Sequence, residues 1–187
     1  DFETPEQFVP AQPPPRTWET CMTLNESWGY NPADTAWKSP RQVVHTLSEV
    51  AGRGGNLLLN VSPMGDGTIM PEQRAILGAM QRWLAANGAS IVGTEPGLEP
   101  WQFYGPSTRR GGTTYLHLLM RPYESVTVRG VPIKRVKKVT VLATGQQLAF
   151  ATRCAIVDSW FNRDPKGEVV ITVPEEAVDS LATVLAV

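Results

Sequence analysis

Two cysteines and two histidines are all that 187 residues contain of either type. Cys21 and Cys154 are too few for a disulfide framework and lack metal-ligand spacing, so two separate free thiols are expected. His45 and His117 cannot build a zinc site unaided. An excess of charge of one sign is also missing, with 17 basic residues against 18 acidic ones. That balance provides no global basic field for a nucleic acid or an anionic membrane, and neither partner is expected. Apolar runs such as Leu57-Leu58-Leu59 fall far short of the ~20 residues that span a bilayer. An initiator Met and a targeting segment are absent as well. The opening Asp1-Phe2-Glu3-Thr4-Pro5-Glu6 suits a processed product, a crop or a piece of a longer chain, and no cellular compartment is implied.

What is present divides into two patterns. Pro5, Pro10, Pro13, Pro14 and Pro15 deny residues 1–17 a helix or sheet interior, so a loop with an extended course is expected there. Trp18 to Leu24 alternates weakly, as a short strand does. Residues 25–38 are irregular yet carry Trp28, Tyr30 and Trp37, which is unusual because loops are normally polar. Ser39 as N-cap and Pro40 at the first helical position open a helix. Its apolar face repeats through Val43, Val44, Leu47 and Val50, and Gly52 and Gly54-Gly55 end it. The continuous apolar run from Asn56 to Val61 predicts a strand buried on both faces. A second helix is predicted from Pro71 to about Ala86, closed by Asn87-Gly88. One buried strand between two helices leaves its edges unpaired, so the remaining sheet is expected from a missing N-terminal portion, a companion chain or a homo-oligomer.

Beyond Pro96 the apolar period becomes that of strands. Tyr115–Met120, Ser125–Arg129, Lys138–Leu142, Gln147–Ala151, Glu168–Val173 and Leu181–Val187 alternate, with glycines between them. Short strands at this spacing predict an antiparallel sandwich. The expected organisation is an α/β portion over residues 1–96 and an all-β domain over residues 97–187.

Few residues suggest chemistry. Gly52-Arg53-Gly54-Gly55 precedes its strand and no Lys-Ser/Thr pair follows, so it reads as a turn and not as a phosphate loop. Lys134 to Lys138 reads as a solvated sheet edge. Glu19 sits next to Trp18, in a neighbourhood rich in aromatics. A carboxylate against apolar rings loses solvation, which favours the protonated form that a general acid needs. No cofactor or metal is called for. Trp101, Phe103 and Tyr104 allow a rival reading, in which the second half is a non-catalytic carbohydrate-binding or structural module with those rings as a platform.

In order along the chain, Trp18-Glu19-Thr20-Cys21, Ser27-Trp28-Gly29-Tyr30, Gly54-Gly55-Asn56 through Ser62-Pro63, Asp66-Gly67, Trp83-Leu84 and Gly93-Thr94 resemble the downstream half of the catalytic domain of the retaining α-L-fucosidases. The resemblance implies the last part of a (β/α)8-like barrel followed by a β-sandwich. It implies retaining hydrolysis of terminal α-L-fucose from a fucosylated glycan or an aryl fucoside. By the same resemblance Glu19 is the acid/base residue, with Glu3 and Glu6 as alternatives. Trp18, Trp28 and Tyr30 would bind the sugar. The family's aspartate nucleophile lies on an upstream strand and matches nothing in this chain, so the chain alone is expected to be inactive or nearly so.

Overall fold

The computed structural model describes residues 1–187. Its first half contains β1 (Glu19–Thr23), α1 (Pro40–Gly52), β2 (Asn56–Asn60) and α2 (Pro71–Asn87). Ser39 and Gln42 close a capping box at the start of α1. The Gln42 amide donates to Ser39 Oγ at 3.2 Å, and the Ser39 amide donates to Gln42 Oε1 at 2.7 Å. β1 and β2 pair in parallel, from Glu19 opposite Asn56 to Thr23 opposite Asn60.

Residues 3–7 are not the loop expected from their prolines. They run parallel to β1 on its other side, with Glu3 bridged to Trp18 and Glu6 to Cys21. The Glu3 and Gln7 amides donate to Thr17 and Cys21 carbonyls, and the Glu19 and Cys21 amides donate to Glu3 and Pro5 carbonyls. Pro5 costs this ladder only the bond its own nitrogen would have made. The result is a row of three parallel segments.

The helices cover one face of that row. Trp18, Thr20 and Met22 point into it and are buried. Leu24, Val43 and Ile76 form a small core there, with Leu59 and Val61 against it. The opposite face has no covering layer, and Leu58, in the middle of β2, is 53% exposed. The expectation that β2 is buried on both faces therefore fails within this chain, because both helices lie on the same side.

The second half contains β3 (Glu95–Pro96), β4 (Ser107–Arg110), β5 (Thr113–Leu118), β6 (Ser125–Pro132), β7 (Thr140–Val141), β8 (Phe150–Arg153), α3 (Ile156–Phe161), β9 (Lys166–Thr172) and β10 (Thr183–Ala186). One sheet has the order β3-β4-β5-β10-β7 and the other β6-β9-β8. All their pairings are antiparallel. Leu116, Leu118 and Leu185 from the first sheet meet Val126, Val128, Val169 and Ile171 from the second in one core of 13 buried residues. Because β3 already pairs with β4, this sheet begins at Glu95, two residues ahead of the division expected at 96/97.

The halves meet across the other face of the larger sheet. Val44 and Trp83 pack against Tyr115, Ala182 and Val184. Trp83 Nε1 donates to the Ala182 carbonyl at 2.8 Å. Both histidines lie at this joint. His45 Nε2 lies 2.8 Å from the Leu181 carbonyl. His117 is wholly buried, with Nε2 3.4 Å from Thr108 Oγ1 and Nδ1 without a partner. Burial holds its pKa down at about 4. Cys21 and Cys154 are both free thiols.

Candidate functional site

Parallel strands share a carboxyl end, and in α/β folds ligands gather there. Here that end comprises Gln7, Thr23 and Asn60. Gln7 Nε2 donates to Thr23 Oγ1 at 3.0 Å, and the Thr23 amide donates to Gln7 Oε1 at 3.3 Å. Gln7 has φ of 62°, the left-handed region that a side chain other than glycine's rarely adopts. Such strain persists only where surrounding bonds fix it, and the pair of contacts with Thr23 does so.

The aromatic loop of residues 24–38 leaves β1 at this same end. Asp34 organises it, accepting from Ser27 Oγ at 2.7 Å and from the Glu26 and Ala36 amides at 3.1 Å each. The Ser27 hydroxyl, followed by those amides, holds the Asp34 carboxyl below its ordinary 3.8. Asn60 Nδ2 donates to the Trp28 carbonyl at 2.8 Å and ties the loop to the end of β2. Trp28 and Tyr30 are thereby displayed at 42% and 43% exposure.

The Asn60 tie brings the Trp28–Tyr30 stretch to the carboxyl end of the strands, whereas Trp18 and Glu19 lie at the amino end. Neighbours on a strand face opposite ways. Trp18 is 2% exposed on the helix side, with its ring stacked so closely on Gly55 that a Cβ there would lie 2.4 Å from it. Its Nε1 donates to the Arg53 carbonyl at 3.4 Å. Trp18 therefore belongs to the core and does not wall a sugar pocket, and it cannot desolvate Glu19 across the sheet. Glu19 does face the uncovered side, but it starts β1, level with Asn56. Four residues of strand, about 13 Å, separate that level from Asn60.

A different carboxylate lies near the right end. Glu6 shares its register position with Cys21, hence its face, and immediately precedes the strained Gln7. Glu3 shares its position with Trp18 and takes the helix side. Reading residues 3–7 as a strand would have separated these two glutamates by parity alone.

A cavity of about 690 Å³ lies elsewhere, between Gly52-Arg53, Pro96–Pro100 and Phe103–Ser107. Arg53 precedes β2, so this cavity opens near the amino end of the strands. Phe103 is 2% exposed and belongs to the two-sheet core, while Trp101 lies over Gly130. The platform of Trp101, Phe103 and Tyr104 is therefore not formed.

Parallel strands with helices on one face, followed by antiparallel sheets, make an α/β fold of the kind found in glycoside hydrolases. A family profile described as Alpha-L-fucosidase matches residues 1–89. Tissue alpha-L-fucosidase of Homo sapiens is 28% identical over 183 residues, covering 93% of this chain and 36% of that protein. Alpha-L-fucosidase isoenzyme 1 from Paenibacillus thiaminolyticus superposes with a TM-score of 0.85 at 33% identity, covering all of this chain and 44% of that one. The Thermotoga maritima alpha-fucosidase structure gives a TM-score of 0.75 at 29% identity over 42% of its length. The chain is similar to α-L-fucosidases along its whole length and spans less than half the length of these relatives.

Proposed function

We propose that this chain supplies the acid/base side of a retaining α-L-fucosidase, with Glu6 as the proton donor. On this reading residues 1–96 are the closing sector of a (β/α)8-like barrel and the two-sheet half is its appended sandwich. The substrate is a terminal α-L-fucose on a glycan or an aryl group. A carboxylate nucleophile from another strand of the barrel, outside these 187 residues, attacks the anomeric carbon. Glu6 protonates the departing glycosidic oxygen. The resulting Glu6 carboxylate then takes a proton from the water that hydrolyses the glycosyl-enzyme. Trp28 and Tyr30 cover the apolar face of the sugar. Without the nucleophile, these residues alone turn over little or nothing.

The observation that carries the choice of Glu6 is its register. It shares the uncovered face with Cys21, next to the Gln7–Thr23 clamp, while Glu19 sits at the far end of β1. The test is a pair of variants in the protein bearing the whole barrel. Glu6→Gln should lose about 10²–10⁴-fold on fucosides with poor leaving groups and far less on activated aryl fucosides. Its basic pH limb should flatten, and azide should restore turnover on the activated substrate. Glu19→Gln should leave all three nearly unchanged. The reverse pattern would return the role to Glu19.

A further inference from the structure

The hairpin between β8 and β9 ends in α3, and no residue of this helix is buried. Ile156 and Val157 are 68% and 65% exposed, and Trp160 and Phe161 75% and 81%. Four apolar side chains on one six-residue helix, all turned to water, are an exposed patch that requires an explanation. The helix is firmly held at its base. Its last turn is closed by the Asn162 amide donating to the Asp158 carbonyl at 3.0 Å. Lys134 Nζ donates to the Asn162 carbonyl at 3.2 Å, and Arg135 pairs with Asp164. The hairpin belongs to the smaller sheet, which is separated from α1 and α2 by the larger one.

A collar of charge lies at its base, where Lys134 reaches the Asn162 carbonyl. Lys134, Lys137, Arg163 and Lys166 form no ion pair, whereas Arg135 and Arg153 are matched by Asp164 and Glu168. Lys137 joins the collar through its bond to the Lys134 carbonyl, and Lys166 through its pairing opposite Pro132. Asp158 is the one unmatched acid. The chain as a whole is balanced at −1, so this excess is local.

We propose that α3 and its collar dock on an anionic phospholipid surface, with the four apolar side chains entering the headgroup boundary and the cations resting on the headgroups. Interfacial helices work by this combination, and Trp is favoured at that depth. Two other occupants fit less well. A second copy would bring the unpaired cations of both collars together, and a stable dimer engages ~20–30 residues a side. A sugar chain stacks on flat faces, but the Trp160 and Phe161 rings stand at 77° to each other, and Ile156 and Val157 offer no ring at all.

The test is co-sedimentation of the purified protein with phosphatidylcholine vesicles, with and without roughly one-third phosphatidylserine. Binding should require phosphatidylserine and weaken in high salt. Trp160→Ser/Phe161→Ser and, separately, Lys137→Gln/Lys166→Gln should each lower the partition coefficient by about 10-fold or more. All these side chains are exposed, and unchanged circular dichroism verifies folding. Three results would overturn the proposal: equal partition on both vesicles, unchanged partition of either double variant, or α3-dependent self-association without vesicle binding.

Discussion

Leu58 and Leu116 both sit inside short strands, yet Leu58 is 53% exposed and Leu116 is wholly buried. The difference lies in how many layers each half supplies. The second half brings two sheets and closes its own core between them. The first half brings three parallel segments and two helices, so one face is covered and the other is left open. A parallel sheet is normally covered on both faces, and here the apolar pattern of β2 extends to a face that no layer of this chain covers.

That contrast makes Leu116→Ala the most damaging change. It empties the closed core and should cost about 3 kcal/mol or more in urea unfolding. Acid should act at the joint with nearly the same force. Below pH 6.5 the unfolded chain protonates His117, while the buried ring resists protonation until about pH 4. The unfolded state then binds more protons, so stability should fall as pH drops through that window, by about 3 kcal/mol at most. His117→Gln should remove this part of the slope; an identical slope in the variant would rule the histidine out. Gly55→Ala pushes a methyl against the Trp18 ring and should cost about 1–3 kcal/mol, read as a lower urea midpoint. Leu58→Ala should shift the midpoint by no more than about 0.5 kcal/mol in this chain. In the protein with a whole barrel the same substitution should cost several times more. Equal small costs in both would mean that the face stays open there too.

The helices were legible because both cues act locally. Ser39-Pro40 and the Val43, Val44, Leu47, Val50 face start and orient α1, and the expected end of α2 at about Ala86 differs by one residue from Asn87. Most strands of the second half were found from alternation, with ends displaced by a few residues. β4 was not, because Ser-Thr-Arg-Arg has no apolar alternation. Its place is fixed by partners far along the chain, including Thr108 Oγ1 donating to the Ser90 carbonyl at 2.6 Å. Residues 3–7 were hidden by Pro5, and α3 by its brevity. At the candidate site, Trp28 and Tyr30 could be read from their unusual loop. Trp18 lies in the core and not beside Glu19, because neighbours on a strand face opposite ways.

Val43 and Val44 are consecutive on α1, yet Val43 packs with Leu24 and Ile76 while Val44 packs with Tyr115 and Val184. One turn of helix is thus shared by two cores that have no other buried residue in common. If that turn melts, both lose a member together, so the chain should unfold as a single cooperative unit despite its two architectures. Amide hydrogens in the middle of α1 should exchange with solvent about as slowly as those of β5 and β10, and those of α3 should exchange first.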